Sequence, residues 1–165
     1  MDLSFFGWSQ QIIERFGYLG IFFINLISSS TILFPIPGYI FIFIFGGILN
    51  PAFVALFSSL GAALGELTAY GVGRGGGYIL KKSQKKYFEK GKEWFSRGRG
   101  FWVIILFAAT PLPFDVIGIS AGLFNYNLQR FILATFLGKI LKYSALAFGG
   151  FYGINWILNI LKYGF

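Results

Sequence analysis

Polar and apolar positions in this chain fall in long blocks. Phe16 to Gly65 is a run of fifty residues without one charge. A membrane-crossing helix takes about 20 apolar residues, so the run exceeds a single span. Near its middle stands Pro35-Ile36-Pro37-Gly38. Each proline lacks an N–H and clashes with the carbonyl four residues back, so a helix must break there. Broken backbone at membrane depth is tolerated only where protein covers it or where it lines a wet cavity. Ser28, Ser29, Ser30 and Thr31 lead into the break, with hydroxyls placed to bond the carbonyls that the prolines release. The arm beyond it, Tyr39 to Leu49, has eleven residues. At 1.5 Å per residue it reaches only about 17 Å, roughly half of a ~30 Å hydrocarbon core. Residues 17–49 therefore read as a re-entrant hairpin.

The same pattern then recurs. Asn50-Pro51 predicts a helix start, and residues 51–73 are long enough to cross, with Gly75-Gly76-Gly77 as the expected end. Phe101 to Ala109 is another half-length apolar arm, Thr110-Pro111-Leu112-Pro113 breaks it, and Phe114 to Phe124 returns, giving a second hairpin over 101–124. Residues 127–163 supply a further crossing helix or two shorter ones. Pro35 and Pro37 match Pro111 and Pro113, and Gly46 matches Gly122, at an offset of 76; Leu60-Gly61-x-x-Leu64 matches Leu137-Gly138-x-x-Leu141 at 77. Four of the five prolines fall in matching pairs, which weighs against coincidence. A hairpin plus one crossing changes sides once, so the second unit enters the membrane from the opposite face. The expected fold is an all-α polytopic membrane protein. It is an inverted-topology repeat of two re-entrant Pro-x-Pro helical hairpins, each followed by a spanning helix, an arrangement that places a site near the midplane. In this reading residues 1–165 are a single membrane domain, and 1–16 form an amphipathic helix, lying in the interface or else extending the next helix.

Charge sharpens the topology. The chain is 12% charged, against about 25% for an average globular chain, and its mean hydropathy is +0.68. Nine of the fourteen Lys and Arg residues lie between Arg74 and Arg99. The positive-inside rule makes 74–100 a cytoplasmic loop of a multi-pass protein, with a cell membrane as the expected location. Tyr87, Phe88, Trp94 and Phe95 fall on one face of a helix among lysines, as expected of a helix lying on the leaflet. Contact with an anionic lipid is compatible with this; nucleic acid is not an expected partner. The chain has no cysteine and no histidine, which removes disulfides, thiolate metal sites and the usual proton relay. No cofactor or metal is expected. With no Ser-His, metal-ligand or paired-carboxylate constellation, neither is an enzyme.

The charges inside apolar segments are Glu66, Asp115, Arg130, Lys139 and Lys142. Each costs about 2.5–3.5 kcal/mol or more at a helix centre, which makes each a functional candidate. Lys139 and Lys142 are three apart on one face, beside Tyr143, and call for an anion: Glu66, Asp115 or a substrate phosphate. Glu66 is a candidate for proton exchange or charge balance, the alternative being a structural salt bridge to Lys139 or Lys142. Asp115 has the same candidate role, or pairs with a lysine, or caps the return arm. Tyr70, four residues after Glu66, shares its helix face. Arg74 and Arg130 stand near helix ends, where snorkelling to the interface is an equal reading. The hairpin tips are marked by Pro35, Pro37, Gly38, Pro111 and Pro113, and the helix N-termini that follow them would add N–H donors for an anion.

Gly61-x-x-x-Gly65-Glu66-x-x-x-Tyr70-Gly71-x-Gly73-Arg74, Pro35-Ile36-Pro37-Gly38 with Gly46-Gly47, and Thr110-Pro111-Leu112-Pro113-x-Asp115 with Ala121-Gly122 together resemble the DedA family, also called the SNARE-associated Golgi or VTT-domain family, in a compact subgroup. The resemblance covers about Gly17 to Tyr152. The chain departs from the family pattern at Asn25 and Tyr39, where many members carry acids, and at Ala108 and Phe114, where arginines are common. The resemblance implies lipid translocation, of polyprenyl phosphate carriers by similar bacterial proteins and of phospholipids by similar eukaryotic ones. Lys139, Lys142, Arg130, Arg74 and Tyr70 are the expected substrate-binding set, with a phosphate-bearing membrane lipid as partner and a homo-oligomer left open. A proton-coupled exporter of small ions or drugs and a membrane scaffold are the alternatives.

Overall fold

The computed structural model describes residues 3–31, 38–83, 85–96 and 98–163. They form eight helices: α1 (Leu3–Ser30), α2 (Gly38–Ile48), α3 (Pro51–Gly65), α4 (Leu67–Ser83), α5 (Lys85–Ser96), α6 (Arg99–Ala109), α7 (Phe114–Leu123) and α8 (Leu128–Tyr163). Pro35 and Pro37 lie outside the described residues.

Local chemistry explains the helix ends. Ser30 donates its hydroxyl to the Leu26 carbonyl (2.7 Å) and Thr31 to that of Ser28 (2.9 Å), and Thr110 bonds the Leu106 carbonyl (2.9 Å) at the matching end of α6. Asn50 caps α3, its Oδ1 accepting from the Ala52 N–H at 3.0 Å, and Pro51 takes the first helical position, where a missing N–H costs nothing. Asn127 caps α8 in the same way, accepting from the Arg130 N–H at 3.0 Å.

One boundary, at Gly75-Gly76-Gly77, differs from the sequence reading, and two that it left open take a definite form. α1 runs unbroken through Phe16 and Gly17, because no proline or cap stands there to end it. α4 continues past Gly75-Gly76-Gly77 to Ser83. Glycine costs a helix about 1 kcal/mol per residue relative to alanine, without removing a hydrogen bond. The last segment is one helix of 36 residues rather than two. Between α3 and α4 only Glu66 leaves helical geometry; its N–H still reaches the Ala62 carbonyl and its carbonyl receives the Tyr70 N–H, each at 3.1 Å. Residues 51–76 are thus long and apolar enough to cross a membrane, as are residues 128–154.

The packing follows the sequence repeat. The first arms lie on their own long helices, α1 on α3 and α6 on α8, while the return arms cross over, α2 onto α8 and α7 onto α4. Both crossovers are glycine contacts. A Cβ at Gly46 would overlap the Ala147 carbonyl, and one at Gly150 the Phe43 carbonyl. In the other pair, Gly122 meets the Tyr70 carbonyl and Gly73 the Ile119 carbonyl. Phe43 and Gly46 sit 76 residues before Ile119 and Gly122, and Tyr70 and Gly73 sit 77 before Ala147 and Gly150. The two crossings are therefore the same contact made twice. Gly122→Ala is expected to lower stability by about 1–3 kcal/mol through overpacking. Gly71→Ala, with open space around it, should gain up to about 1 kcal/mol. Thermal unfolding in detergent checks the pair, and equal effects would refute the close crossing.

The outer surface is apolar on nearly every long element. Phe23, Ile40, Phe53, Trp102, Leu133 and Leu141 are all exposed. Water-soluble monomers rarely show contiguous apolar patches beyond a few hundred Å², so lipid is the medium this surface suits. α5 also makes contacts that its spacing did not name. Phe88 and Phe95 are buried, with Phe124 5.7 Å from the Phe95 ring and Tyr126 5.8 Å from it. These two rings pack on the α7–α8 turn, while Trp94 of the same helix stays exposed; helical periodicity marks a face but does not name what covers it.

Candidate functional site

The end of α1, the start of α2 and the break between α6 and α7 surround a cavity of about 310 Å³. Glu66, Asp115, Lys139 and Tyr143 line it with Asn25, Ser28, Ser29 and Tyr39. Glu66 and Lys139 are 4% and 2% exposed. Lys139 Nζ donates to Glu66 Oε1 at 2.6 Å and to Ser29 Oγ at 3.2 Å. It also lies 5.4 Å from the Phe114 ring centroid and 5.9 Å from that of Tyr143. The rings shield the ammonium group while their negative faces attract it. Glu66 Oε2 makes no hydrogen bond, so one side of this buried carboxylate has unused acceptor capacity.

Lys142, one turn on, is held differently. Its Nζ donates to the Thr110 carbonyl at 3.1 Å and sits 5.3 Å from the Tyr39 ring and 5.7 Å from the Tyr143 ring. No carboxylate pairs with it among the described residues. It belongs to the wall of a second, apolar groove of about 560 Å³ formed with Ala109, Leu141, Ala145 and Leu146. Tyr39 and Pro111 line both spaces, so the polar cavity and the apolar groove adjoin.

Of the two lysines that could have paired with Glu66, Lys139 does so. Asp115 stands in the first turn of α7 and lines the cavity, but its side chain does not cap the helix, whose N-cap is Pro113. No ion pair joins it to a lysine among the described residues. Gly38, Pro111 and Pro113 line the cavity.

Three predicted substrate residues lie elsewhere. The buried Tyr70 donates its hydroxyl to the Tyr126 carbonyl at 2.6 Å, and Arg74 Nη1 donates to the Tyr70 oxygen at 3.1 Å. Arg130 lines a separate small cavity at the α7–α8 turn. Tyr70 shares a helical face with Glu66, but it packs on the Phe131 ring and bonds the Tyr126 carbonyl instead of lining the cavity. Asn25 and Tyr39 are site residues that the sequence reading had marked only as departures. Asn25 is buried, its Nδ2 bonded to the Ile21 carbonyl at 2.9 Å. A buried amide in an apolar arm was the available signal.

The all-helical build, two crossing-length helices and an apolar exterior define a membrane protein. Residues 36–152 match the VTT domain, and the chain belongs to that family, the DedA family. The uncharacterized protein MJ0201 of Methanocaldococcus jannaschii is 29% identical over 139 residues, 81% of this chain and 84% of its own. A Lactococcus lactis protein named alkaline phosphatase-like is 30% identical over 166 residues, covering 88% of this chain and 75% of that one. Transmembrane protein 41B of Xenopus tropicalis is 37% identical over 113 residues, 64% of this chain and 40% of that protein. No solved structure matches the chain.

Proposed function

We propose that the protein moves a phosphate-bearing lipid across the bilayer, most consistently a polyprenyl phosphate, and is a transporter rather than an enzyme. The observation that carries this is the polar cavity adjoining an apolar groove, with Tyr39 and Pro111 shared between them and Lys142 in the groove wall beside Tyr39. A lipid head group needs a cation and hydrogen-bond donors out of water, while its tail needs an apolar path. The two spaces supply these side by side.

In this reading the Pro-x-Pro breaks are the tips of re-entrant hairpins that enter from opposite faces and meet near the midplane. The repeated glycine crossing supports an inverted repeat, since each half lends its return arm to the other half's spanning helix. The basic stretch 74–100 lies on the cytoplasmic side of a cell membrane. Lys142 receives the phosphate, Lys139 keeps Glu66 neutralised, and Asp115 balances charge as the head group passes. An exporter of water-soluble ions would have no use for the apolar groove.

Native mass spectrometry of the purified protein tests the substrate class. A phosphate-bearing lipid is expected to remain bound to the wild type and to be lost from Lys142→Ala. Retention of zwitterionic lipids alone, indifferent to Lys142, would refute the reading.

A further inference from the structure

The predicted residues that fell outside the main cavity gather around one turn. Residues 124–127 join α7 to α8, and a cavity of about 130 Å³ opens beside them. Lys92 of α5 and Arg130 of α8 line it, with Asn125, Tyr126 and Asn127 from the turn. No carboxylate lines it, and neither cation is in an ion pair among the described residues. The acids of α5, Glu89 and Glu93, are not part of its wall.

The site is held by packing rather than left on loose side chains. Phe95 and Phe124, 5.7 Å apart, pin α5 to the turn. The Tyr126 carbonyl is fixed by Tyr70, which in turn receives the Arg74 guanidinium. Three cations from three helices therefore stand around one aromatic-walled turn. The left-handed backbone of Asn125 (φ 54°) shapes it.

Its depth also has a meaning. α7 runs from the main cavity, at Asp115, to this turn, at Leu123. Ten helical residues rise about 15 Å, which is half of a ~30 Å hydrocarbon core. If the main cavity sits at the midplane, this one sits at the level of lipid phosphates. That placement rests on the reading above; the anion chemistry does not.

We propose that Lys92 and Arg130, on the Tyr126 turn, form a second binding site for a phosphate group, distinct from the midplane cavity. A lipid head group at the surface and free phosphate share that chemistry.

Calorimetry on the full-length protein in micelles separates the sources. The protein carries Lys142→Ala, which removes the lysine proposed to receive phosphate at the midplane. It is titrated with inorganic phosphate, with short-chain phosphatidate and with short-chain phosphatidylcholine. Saturable binding of phosphatidate, with or without phosphate, supports a lipid head-group site; phosphate bound as tightly as phosphatidate supports a free-anion site. In both cases Lys92→Gln with Arg130→Gln should weaken binding about tenfold or more, because charge-assisted contacts to both cations are lost. Both side chains are exposed, so an unchanged melting curve is expected to show the variant folded. No saturable binding of phosphate or phosphatidate, phosphatidylcholine bound as tightly as phosphatidate, or binding unchanged in the double variant overturns the proposal. Loss of translocation in proteoliposomes with this binding intact would count against the transport reading alone.

Discussion

Lys139→Ala is expected to abolish stable folding, with a loss of about 3–5 kcal/mol. That is the cost of leaving one member of a buried ion pair without its partner. Glu66 is 4% exposed, its Oε1 bonds Lys139 at 2.6 Å, and its Oε2 already has no partner. Marginally stable proteins hold only about 5–15 kcal/mol in reserve. The combined variant Glu66→Leu with Lys139→Met should recover most of the loss, because apolar replacement of a whole buried pair is often neutral. Thermal unfolding and size-exclusion profiles in detergent read both. A single Lys139→Ala variant as stable as the wild type would show that Glu66 is hydrated or protonated, and that the pair does not hold the halves together.

Lys142→Ala is expected to fold normally and to slow lipid movement about 10–100-fold. Lys142 makes one hydrogen bond, to the Thr110 carbonyl, and pairs with no carboxylate among the described residues, so its removal leaves no buried charge behind. Its value is to the substrate. A hydrogen bond to a charged group contributes roughly 1.5–3 kcal/mol, and each 1.4 kcal/mol is tenfold. Lys142→Arg should retain more activity than Lys142→Ala, since it keeps the charge. The two lysines, three residues apart, thus separate by consequence: one by stability, the other by transport.

The breaks were legible because proline is unambiguous: Pro111 and Pro113 end α6 where expected, and the offset of 76 paired Gly46 with Gly122, though not as the crossing points they prove to be. The start of α3 was equally plain from Asn50-Pro51. Continuity was not. Nothing in Gly75-Gly76-Gly77 says whether a helix pays the glycine penalty and continues, and α4 does. Partners were harder still. The spacing of Phe88 and Phe95 marked an apolar face, but only tertiary packing decides that Phe124 covers it. In the site, charge in an apolar run identified Glu66, Lys139 and Lys142, because such groups are costly wherever they sit. Which lysine meets the acid depends on how α3, α4 and α8 cross, and that is not written in a three-residue spacing. Tyr70 and Arg74 were misplaced for the same reason: sharing a helix face with Glu66 is not sharing a cavity.

The most direct measurement is movement of a labelled polyprenyl phosphate between leaflets of liposomes carrying the purified protein. The account predicts movement faster than in protein-free liposomes, slowed by Lys142→Ala and little changed by Lys92→Gln with Arg130→Gln. Wild-type liposomes that move the phosphate-bearing lipid no faster than empty ones would contradict it.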